Sequence, residues 1–269
     1  MAVAKALYLN ASTPSVDSPA VHGHRVACFT RPMEPERVNQ DSAAVLALDS
    51  QRVLLIVADG MGGGPSGDRA SALAVKAIND HVQHAERSGA PLRVGILDGF
   101  EQAQRQVSEE LNGAASTLIV AEIQGNQARI YHVGDSAACV FGQRGKLKVR
   151  TDAHSPVGYA LRSGLLDEDE ALHHEDRHYV SNMIGMENMS VEVGLPFTLA
   201  PKDTLVVASD GLFDNLQLEE IIELARSGPL PEAAQSLREC TAKRMAGARS
   251  NAPLPSKPDD LTLLVHRLR

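Results

Sequence analysis

Aspartate recurs where apolar runs of this chain begin or end. Asp59-Gly60-Met61-Gly62-Gly63 follows directly on Val53-Leu54-Leu55-Ile56-Val57-Ala58, and Ser209-Asp210-Gly211 follows Leu205-Val206-Val207-Ala208. Asp259-Asp260 stands just before Leu261-Thr262-Leu263-Leu264-Val265, and Asp41 and Asp135 adjoin further apolar runs. A single Asp-Gly after a strand is an ordinary turn, because Asp accepts local backbone hydrogen bonds and Gly takes positive φ. Asp41, Asp59, Asp135, Asp210 and Asp259 come from distant stretches, and each lies at a strand edge or adjoining turn, so a shared rim explains them better than separate turns. Short carboxylates fixed at strand ends suit hard cations such as Mg2+ and Mn2+, which prefer oxygen ligands. Two such ions roughly 3.5–4 Å apart clamp a phosphoryl group and lower the pKa of a bound water enough for attack at neutral pH. That chemistry is hydrolysis without a protein nucleophile.

The elements that must position these side chains can be read from hydropathy. Residues 43–48 and 53–58 are apolar runs joined by Asp49-Ser50-Gln51-Arg52, a hairpin-sized connection, while residues 1–36 show no clear period and Pro32, Pro35 and their neighbours suggest a loop leading into the first run. From 68 to 86, Ala70, Leu73, Ala74, Ala77, Ile78 and Val82 recur at three and four, giving a helix with Ser66 or Asp68 as its cap. Ile96, Phe100, Ala103, Val107 and Leu111 continue the period in a second helix that Asn112-Gly113 ends. Residues 116–150 read as an antiparallel meander of short strands divided by Gly-rich turns. Residues 155–188 are polar, carry the cluster Asp167-Glu168-Asp169-Glu170, and read as an inserted flap. Strands near 190–194 and 204–208, two further helices, a proline-bearing loop at 250–258 and a last strand complete the chain. Hairpins in such number demand antiparallel sheets layered with helices.

Composition bounds the function. The 269 residues, 43% hydrophobic and 22% charged, suffice for one domain spanning residues 1–269. With 34 acidic against 26 basic residues the net charge is -8, and aromatics are 3%, so neither a nucleic acid nor an anionic membrane is an expected partner. Cys28, Cys139 and Cys240 are scattered and lack CxxC spacing, which fits a reducing cytoplasm. No apolar run approaches the roughly 20 residues of a membrane span.

The motifs together resemble a known family. Arg37-Val38-Asn39-Gln40-Asp41-Ser42, Val57-Ala58-Asp59-Gly60-Met61-Gly62-Gly63, Val133-Gly134-Asp135-Ser136, Ser209-Asp210-Gly211-Leu212-Phe213-Asp214 and Asp259-Asp260-Leu261-Thr262 occur in the order seen in PPM phosphatases, also called type 2C serine/threonine phosphatases. The likeness spans roughly residues 37–267, and Met61 is similar to the bacterial members. It implies an α+β fold, a four-layer αββα sandwich of two antiparallel sheets flanked by helices, with a Mn2+ or Mg2+ pair in a cleft at one end. By the same resemblance Asp59 bridges the metals, the Gly60 carbonyl binds the second, Asp210 and Asp259 complete the first, and Asp41 is a ligand or holds metal-bound water. Asp135 with Asp210 matches a looser third-metal site, Arg37 binds substrate phosphate, and Asp41, Asp59 and Asp210 carry catalysis. The implied activity is hydrolysis of phosphoserine and phosphothreonine in proteins by a metal-activated water, in a cytoplasmic monomer opposing a serine/threonine kinase.

The chain also departs from the family pattern. Arg37 lies four residues before Asp41, where the family arginine lies five before, and Glu36 takes that place. Ala137 replaces the usual Arg after Gly-Asp-Ser, Asp260 the usual Asn, and Gln40 a common Glu. Met61 has no proton to give, so leaving-group protonation falls to metal-bound water. A catalytically weak phosphatase-like binding module is the alternative that the shifted arginine suggests and the intact aspartates oppose.

Rival motifs are weaker. Gly62, Gly64 and Gly67 fit G-x-G-x-x-G, but Glu86 closes a polar helix instead of ending a second strand, and Asp68 stands where a P-loop needs Lys. His174-Glu175-Asp176-Arg177-His178 matches H-E-x-x-H in a strongly polar setting and lacks a third His at Ile184. Six residues after the cysteines stand Glu34, Gly145 and Ala246, so none has the Arg of cysteine-phosphatase chemistry.

Overall fold

Most strands are apolar on both faces, and the chain stacks them so that both faces are covered. In the computed structural model, which describes residues 3–61, 66–247 and 256–268, one sheet runs β1 (Ala4–Leu9), β3 (Asp41–Ala47), β4 (Arg52–Asp59), β5 (Leu118–Gln124), β6 (Gln127–Val133) and β10 (Phe197–Thr198). Strand β9 (Glu192–Val193) also pairs with β6. A second sheet runs β2 (Val26–Arg31), β12 (Leu261–Arg267), β11 (Thr204–Ala208), β7 (Ala137–Phe141) and β8 (Leu147–Arg150). Every pairing in both sheets is antiparallel.

Three apolar cores separate four layers, and strand alternation assigns each residue to one of them. Along β4, Leu54, Ile56 and Ala58 face α1 (Gly67–Ser88) and α2 (Leu92–Glu110), sharing a core with Ile78, Val82, Ile96 and Phe100. Val53, Leu55 and Val57 face the other way and meet Val140, Leu205, Val207 and Leu264 between the sheets. Val206, Ala208, Leu263 and Val265 project outward beneath α5 (Asp210–Phe213), α6 (Leu218–Ala225) and α7 (Leu230–Gly247). This is the expected α+β, four-layer αββα sandwich, and it explains why the strand sequences read as unbroken apolar runs rather than alternating ones.

Several expectations need correction. Residues 1–36, which show no clear period, contain β1 and β2: both are edge strands, and their partners β3 and β12 lie farther along the chain, so no local period announces them. The stretch 116–150 is not one meander. β5 and β6 belong to the first sheet, β7 and β8 to the second, and the chain crosses between them at Gly134-Asp135-Ser136. Gly134 has φ 104, and a Cβ there would lie 2.6 Å from Thr117 Cγ2, so the crossing requires glycine. Ser66 does stand at the cap position of α1 but makes no side-chain cap bond, and α5 was unmarked by any period. Residues 62–65 of the Gly-rich turn, with the Gly62 and Gly64 of the dinucleotide motif, and residues 250–255 of the proline-bearing loop lie outside the described residues.

Residues 155–188 hold α3 (Pro156–Arg162) and α4 (Glu168–His173). The acidic cluster there is the start of α4: Asp167 caps it in a reciprocal capping box with Glu170, which places carboxylates at the positive end of the helix.

The middle core carries the stack. Leu55→Ala, at a fully buried position between the sheets, should cost about 2–5 kcal/mol in urea unfolding. The same truncation at the 37% exposed Leu7 should cost much less; equal losses would mean that the two sheets are not held by this layer.

Candidate metal centre

The site begins at a hairpin turn on the opposite end of the molecule. Asp49 accepts hydrogen bonds from the N–H groups of Gln51 and Arg52 and from Arg52 Nε, which locks the turn and with it the β3–β4 register. That register sets Asp41 directly opposite Asp59 at the far end. Like charges facing each other across strands are unfavourable unless a cation lies between them.

The second sheet delivers its aspartates to the same end. Ser209, the last residue before α5, donates its N–H to the Thr262 carbonyl, and its Oγ accepts from the Thr262 N–H, so the ends of β11 and β12 run together with Asp210 and Asp259. The same Ser209 Oγ donates 2.8 Å to Asp41 Oδ2 and so ties the two sheets to each other. Asp135 arrives on the inter-sheet crossing, where Thr117 Oγ1 joins Ser136 Oγ (2.7 Å) to the Asp59 N–H (2.9 Å). Gly60 follows Asp59 in a spot where a Cβ would lie 2.1 Å from the Gly67 carbonyl oxygen and 2.9 Å from that of Gln40. Only glycine allows that approach.

Electrostatics report the convergence. Burial, then repulsion from Asp260, raises Asp41 well above the carboxylate range, against hydrogen bonds from Thr262 and Ser209. Burial, then Asp41, Asp210, Asp259 and Asp135, does the same to Asp59. Burial with Asp210 and Asp214 pushes Asp135 up to about 8, and burial with Asp210 pushes Asp259 to about 7. Asp41 Oδ1 and Asp210 Oδ1 are buried and have no hydrogen-bond partner. An unpartnered buried anionic oxygen costs free energy that a bound divalent cation removes, and an all-carboxylate set suits Mg2+ or Mn2+. The residues present therefore fit a hard metal centre.

Two participants escaped sequence reasoning. Asp214 sits one turn after Asp210, and burial followed by Asp210 lifts it to about 6. Its i,i+4 spacing from Asp210 was the available signal. Lys257 was read as loop, yet its Nζ contacts Asp210 Oδ2, Asp214 Oδ2 (2.9 Å) and Asp259 Oδ2 (3.1 Å). Burial works to lower the pKa of Lys257, but these three carboxylates carry it above its ordinary value.

Other predicted positions lie around this centre. Asp260 accepts from the N–H groups of Met33 (2.7 Å) and Gln40 (2.6 Å), so the residue that replaces the family Asn clamps both ends of the loop bearing Arg37. Arg37 itself pairs with Glu34 at 3.2 Å, its side chain 64% exposed, on a groove shared with Val38, Gln40 and Asp68. His174 to His178 lie in a turn beyond α4, and the imidazole of His174 accepts from the Asp176 N–H, so no zinc-protease helix forms. A second group, His132, His154 and Glu192, has ligand atoms within 4.8 Å of one another. Its two imidazoles stack at 4.5 Å with planes 22° apart, so their lone pairs do not converge, and His154 Nδ1 is already held by the Gly134 N–H.

Residues 33–248 match the family model of protein phosphatase 2C. The chain belongs to the protein phosphatase 2C family. The serine/threonine phosphatase stp of Listeria welshimeri is 32% identical over 203 residues, covering 70% of this chain and 79% of that protein. The structure of Stp1 from Staphylococcus aureus matches with a TM-score of 0.76 at 23% identity, covering 91% of this chain and 95% of that one. The catalytic domain of PstP, solved in complex with two manganese ions, matches with a TM-score of 0.69 at 23% identity over 91% of this chain and 98% of that one. Asp259 of this phosphatase lies beyond the matched span, and β12 brings it back to the centre.

The metal-free centre should make stability pH-dependent. Asp135, Asp214 and Asp259 have folded-state pKa values of about 8, 6 and 7, above the unfolded value of about 3.9, so the folded chain binds more protons between these limits. The stability they contribute is therefore complete below about pH 4 and is lost progressively as pH rises from there until it passes 8. In EDTA the urea midpoint should fall across that window, Asp135→Asn should flatten its upper part, and saturating Mn2+ should abolish the fall. A midpoint that rises with pH in EDTA would contradict the buried-carboxylate assignment.

Proposed function

We propose that this chain hydrolyses phosphoserine and phosphothreonine esters in proteins at a Mn2+ or Mg2+ pair held by Asp59, Asp210, Asp259 and the Gly60 carbonyl. Membership of the family makes it a protein serine/threonine phosphatase. The observation that carries the residue assignment is the meeting of Asp41, Asp59, Asp135, Asp210 and Asp259 at one end of the sandwich, with buried carboxylate oxygens of Asp41 and Asp210 left unpartnered. Such an ion pair, when bound, supplies Lewis acidity toward the phosphoryl group and makes a water nucleophilic at neutral pH.

The protein residues around it have separable tasks. Asp59, whose carboxyl feels Asp41, Asp210, Asp259 and Asp135 together, would be a ligand to both ions, and Asp210 and Asp259 would be ligands to one of them. Asp41, held through Ser209, serves as a ligand or orients solvent, and it belongs with Asp59 and Asp210 to the catalytic set. Asp135, which feels Asp210 and Asp214 electrostatically, would with Asp210 hold a looser further cation. Arg37, on the groove beside the loop that Asp260 clamps, binds the substrate phosphate. The chain is one domain in which residues 155–188 form a flap beside the cleft. Support comes from a cavity walled on one side by Asp135, Asp210 and Asp214 and on the other by flap residues Val157, Leu161 and Leu172.

The substrates are phosphoproteins made by a serine/threonine kinase, and the enzyme works as a cytoplasmic monomer. Cys28, Cys139 and Cys240 are free thiols, in keeping with a reducing compartment. Exposed large apolar side chains such as Leu7, Val94, Leu165 and Leu195 come from separate elements, which favours a monomer. No helix among the described residues is long and apolar enough to cross a membrane.

Turnover of p-nitrophenyl phosphate should require Mn2+ or Mg2+ and vanish in EDTA. Asp59→Asn and Asp210→Asn should each lower kcat/KM by more than the roughly 10–100-fold typical of residues that only support metal ligands. Activity that persists in EDTA would end the metal reading. Phosphopeptide binding without turnover under any metal would instead assign the chain to the binding-module alternative. Arg37→Ala should raise KM more than it lowers kcat, as expected for a group that holds ground-state phosphate; an unchanged KM would remove Arg37 from the site.

A further inference from the structure

Arg31 closes β2 with its charge unanswered. Ala27 and Phe29 of that strand share a core with Leu237 of α7, and alternation sets Arg31 on the same face. The residue is partly buried, its Nε is buried without a hydrogen-bond partner, and no carboxylate among the described residues pairs with its guanidinium. A second guanidinium adds to the imbalance. Arg238 of α7 lies over the Phe29 ring with Cζ 4.8 Å from the centroid, and it donates to the neutral amide oxygen of Gln235 at 3.3 Å. Burial, followed by repulsion from Arg238, lowers the Arg31 pKa from its ordinary value.

Carboxylates on the neighbouring segments are already engaged. Asp17, bridged to Cys28 across the β2 edge, accepts from Tyr8 and from the Ser18 N–H. Glu34 holds Arg37, and Asp260 accepts from Met33 and Gln40. A guanidinium stays charged at any pH a protein meets, so a partly buried pair without an internal counterion is stabilised by an anion from outside. Its planar fork of N–H donors matches a carboxylate or a phosphate. In a chain of net charge -8, such a spot is where an anionic ligand can approach.

The two arginines stand near the metal end of their sheet. Arg31 lies opposite Leu261 in the β2–β12 register, Asp259 stands two residues before Leu261, and Met33 is bonded to Asp260. Strand rise and strand spacing put the Arg31 backbone on the order of 10 Å from that of Asp259, a span that about three residues of an extended peptide cover. We propose that Arg31 and Arg238 form a second anion subsite, which takes an anionic side chain of the phosphoprotein substrate, carboxylate or phosphate, about three residues from the phosphorylated one. The inference rests on the function proposed above and adds a substrate class to it: phosphorylated segments that carry a further negative charge. Arg37 meets the phosphate that is removed, and Arg31 with Arg238 holds a charge that stays.

Peptide kinetics test this. For the full chain with Mn2+, kcat and KM are measured on phosphoserine peptides that carry Ala, Asp or a non-hydrolysable phosphonate about three residues before or after the phosphoserine. The unaltered protein should show a KM about tenfold lower for the Asp or the phosphonate peptide than for the Ala peptide, at similar kcat. Whichever anion is preferred identifies the group that the subsite takes. Arg31→Met and Arg238→Met should each lose most of the preference and the double variant all of it. Turnover of p-nitrophenyl phosphate, too small to reach the subsite, should be unchanged in all of them. Added salt should shrink the preference of the unaltered chain. Thermal melts check that each variant is folded, with Arg238→Gln as the replacement should loss of the guanidinium over Phe29 unfold the Met variant. Equal KM for anionic and neutral peptides in the unaltered chain, or a preference that survives in the double variant, would overturn the subsite and leave the metal centre standing. No turnover of any substrate with Mn2+ would overturn both readings together.

Discussion

Mutual repulsion among buried carboxylates is the constraint around which this molecule is arranged. Two unit charges 4 Å apart interact by about 4 kcal/mol at an effective dielectric near 20, and the Asp59 carboxyl feels Asp41, Asp210, Asp259 and Asp135 at once. A flexible chain would relieve that strain by letting the side chains swing apart. Here each aspartate is set on the end of a strand, or on a turn that such ends define, in a sandwich whose three cores are closed by fully buried aliphatic side chains. The apolar stack therefore supplies the rigidity, and the charged end uses it. The cluster is kept poised for cations because the protein cannot relax around it.

Small polar groups finish what the stack begins. Ser209 joins Asp41 on one sheet to the β11–β12 end on the other, and Thr117 joins the Asp59 backbone to the crossing that bears Asp135. These hydroxyls both donate and accept, so each can sit between a carboxylate or backbone group and its neighbour without adding charge. Asp260 shows the same economy with a carboxylate. Its two oxygens accept two backbone N–H groups, from Met33 and Gln40, where an amide offers only one acceptor oxygen. The departure from the family Asn is thus intelligible as a stronger clamp on the loop before Asp41.

The positive charge is distributed sparingly. Arg37 stands at the rim with Glu34, and Lys257 is sunk among the aspartates, so an acidic protein that handles anionic phosphates concentrates its local cations where its own carboxylates are densest. The flap side of the cleft is more apolar, lined by residues such as Val157, Leu161 and Leu172, and so offers a substrate contact unlike the charged floor.

Much of this was legible in the linear sequence. Apolar runs marked β3, β4, β5, β6, β7, β11 and β12, helical periods marked α1, α2, α6 and α7, and the aspartates beside those runs marked the centre, because hydropathy period and turn chemistry are local properties. What only the tertiary structure decided is non-local. Edge strands β1 and β2 depend on partners distant in sequence, and the division of 116–150 between two sheets depends on a crossing at Gly134 that looks like any other turn. Asp214 and Lys257 join the centre only once α5 and the segment before β12 are brought together, since neither belongs to an apolar pattern. Residue type and order determined which side chains could hold a divalent ion; the stacking of two sheets determined that they meet, because only packing of remote strands can force like charges into one place.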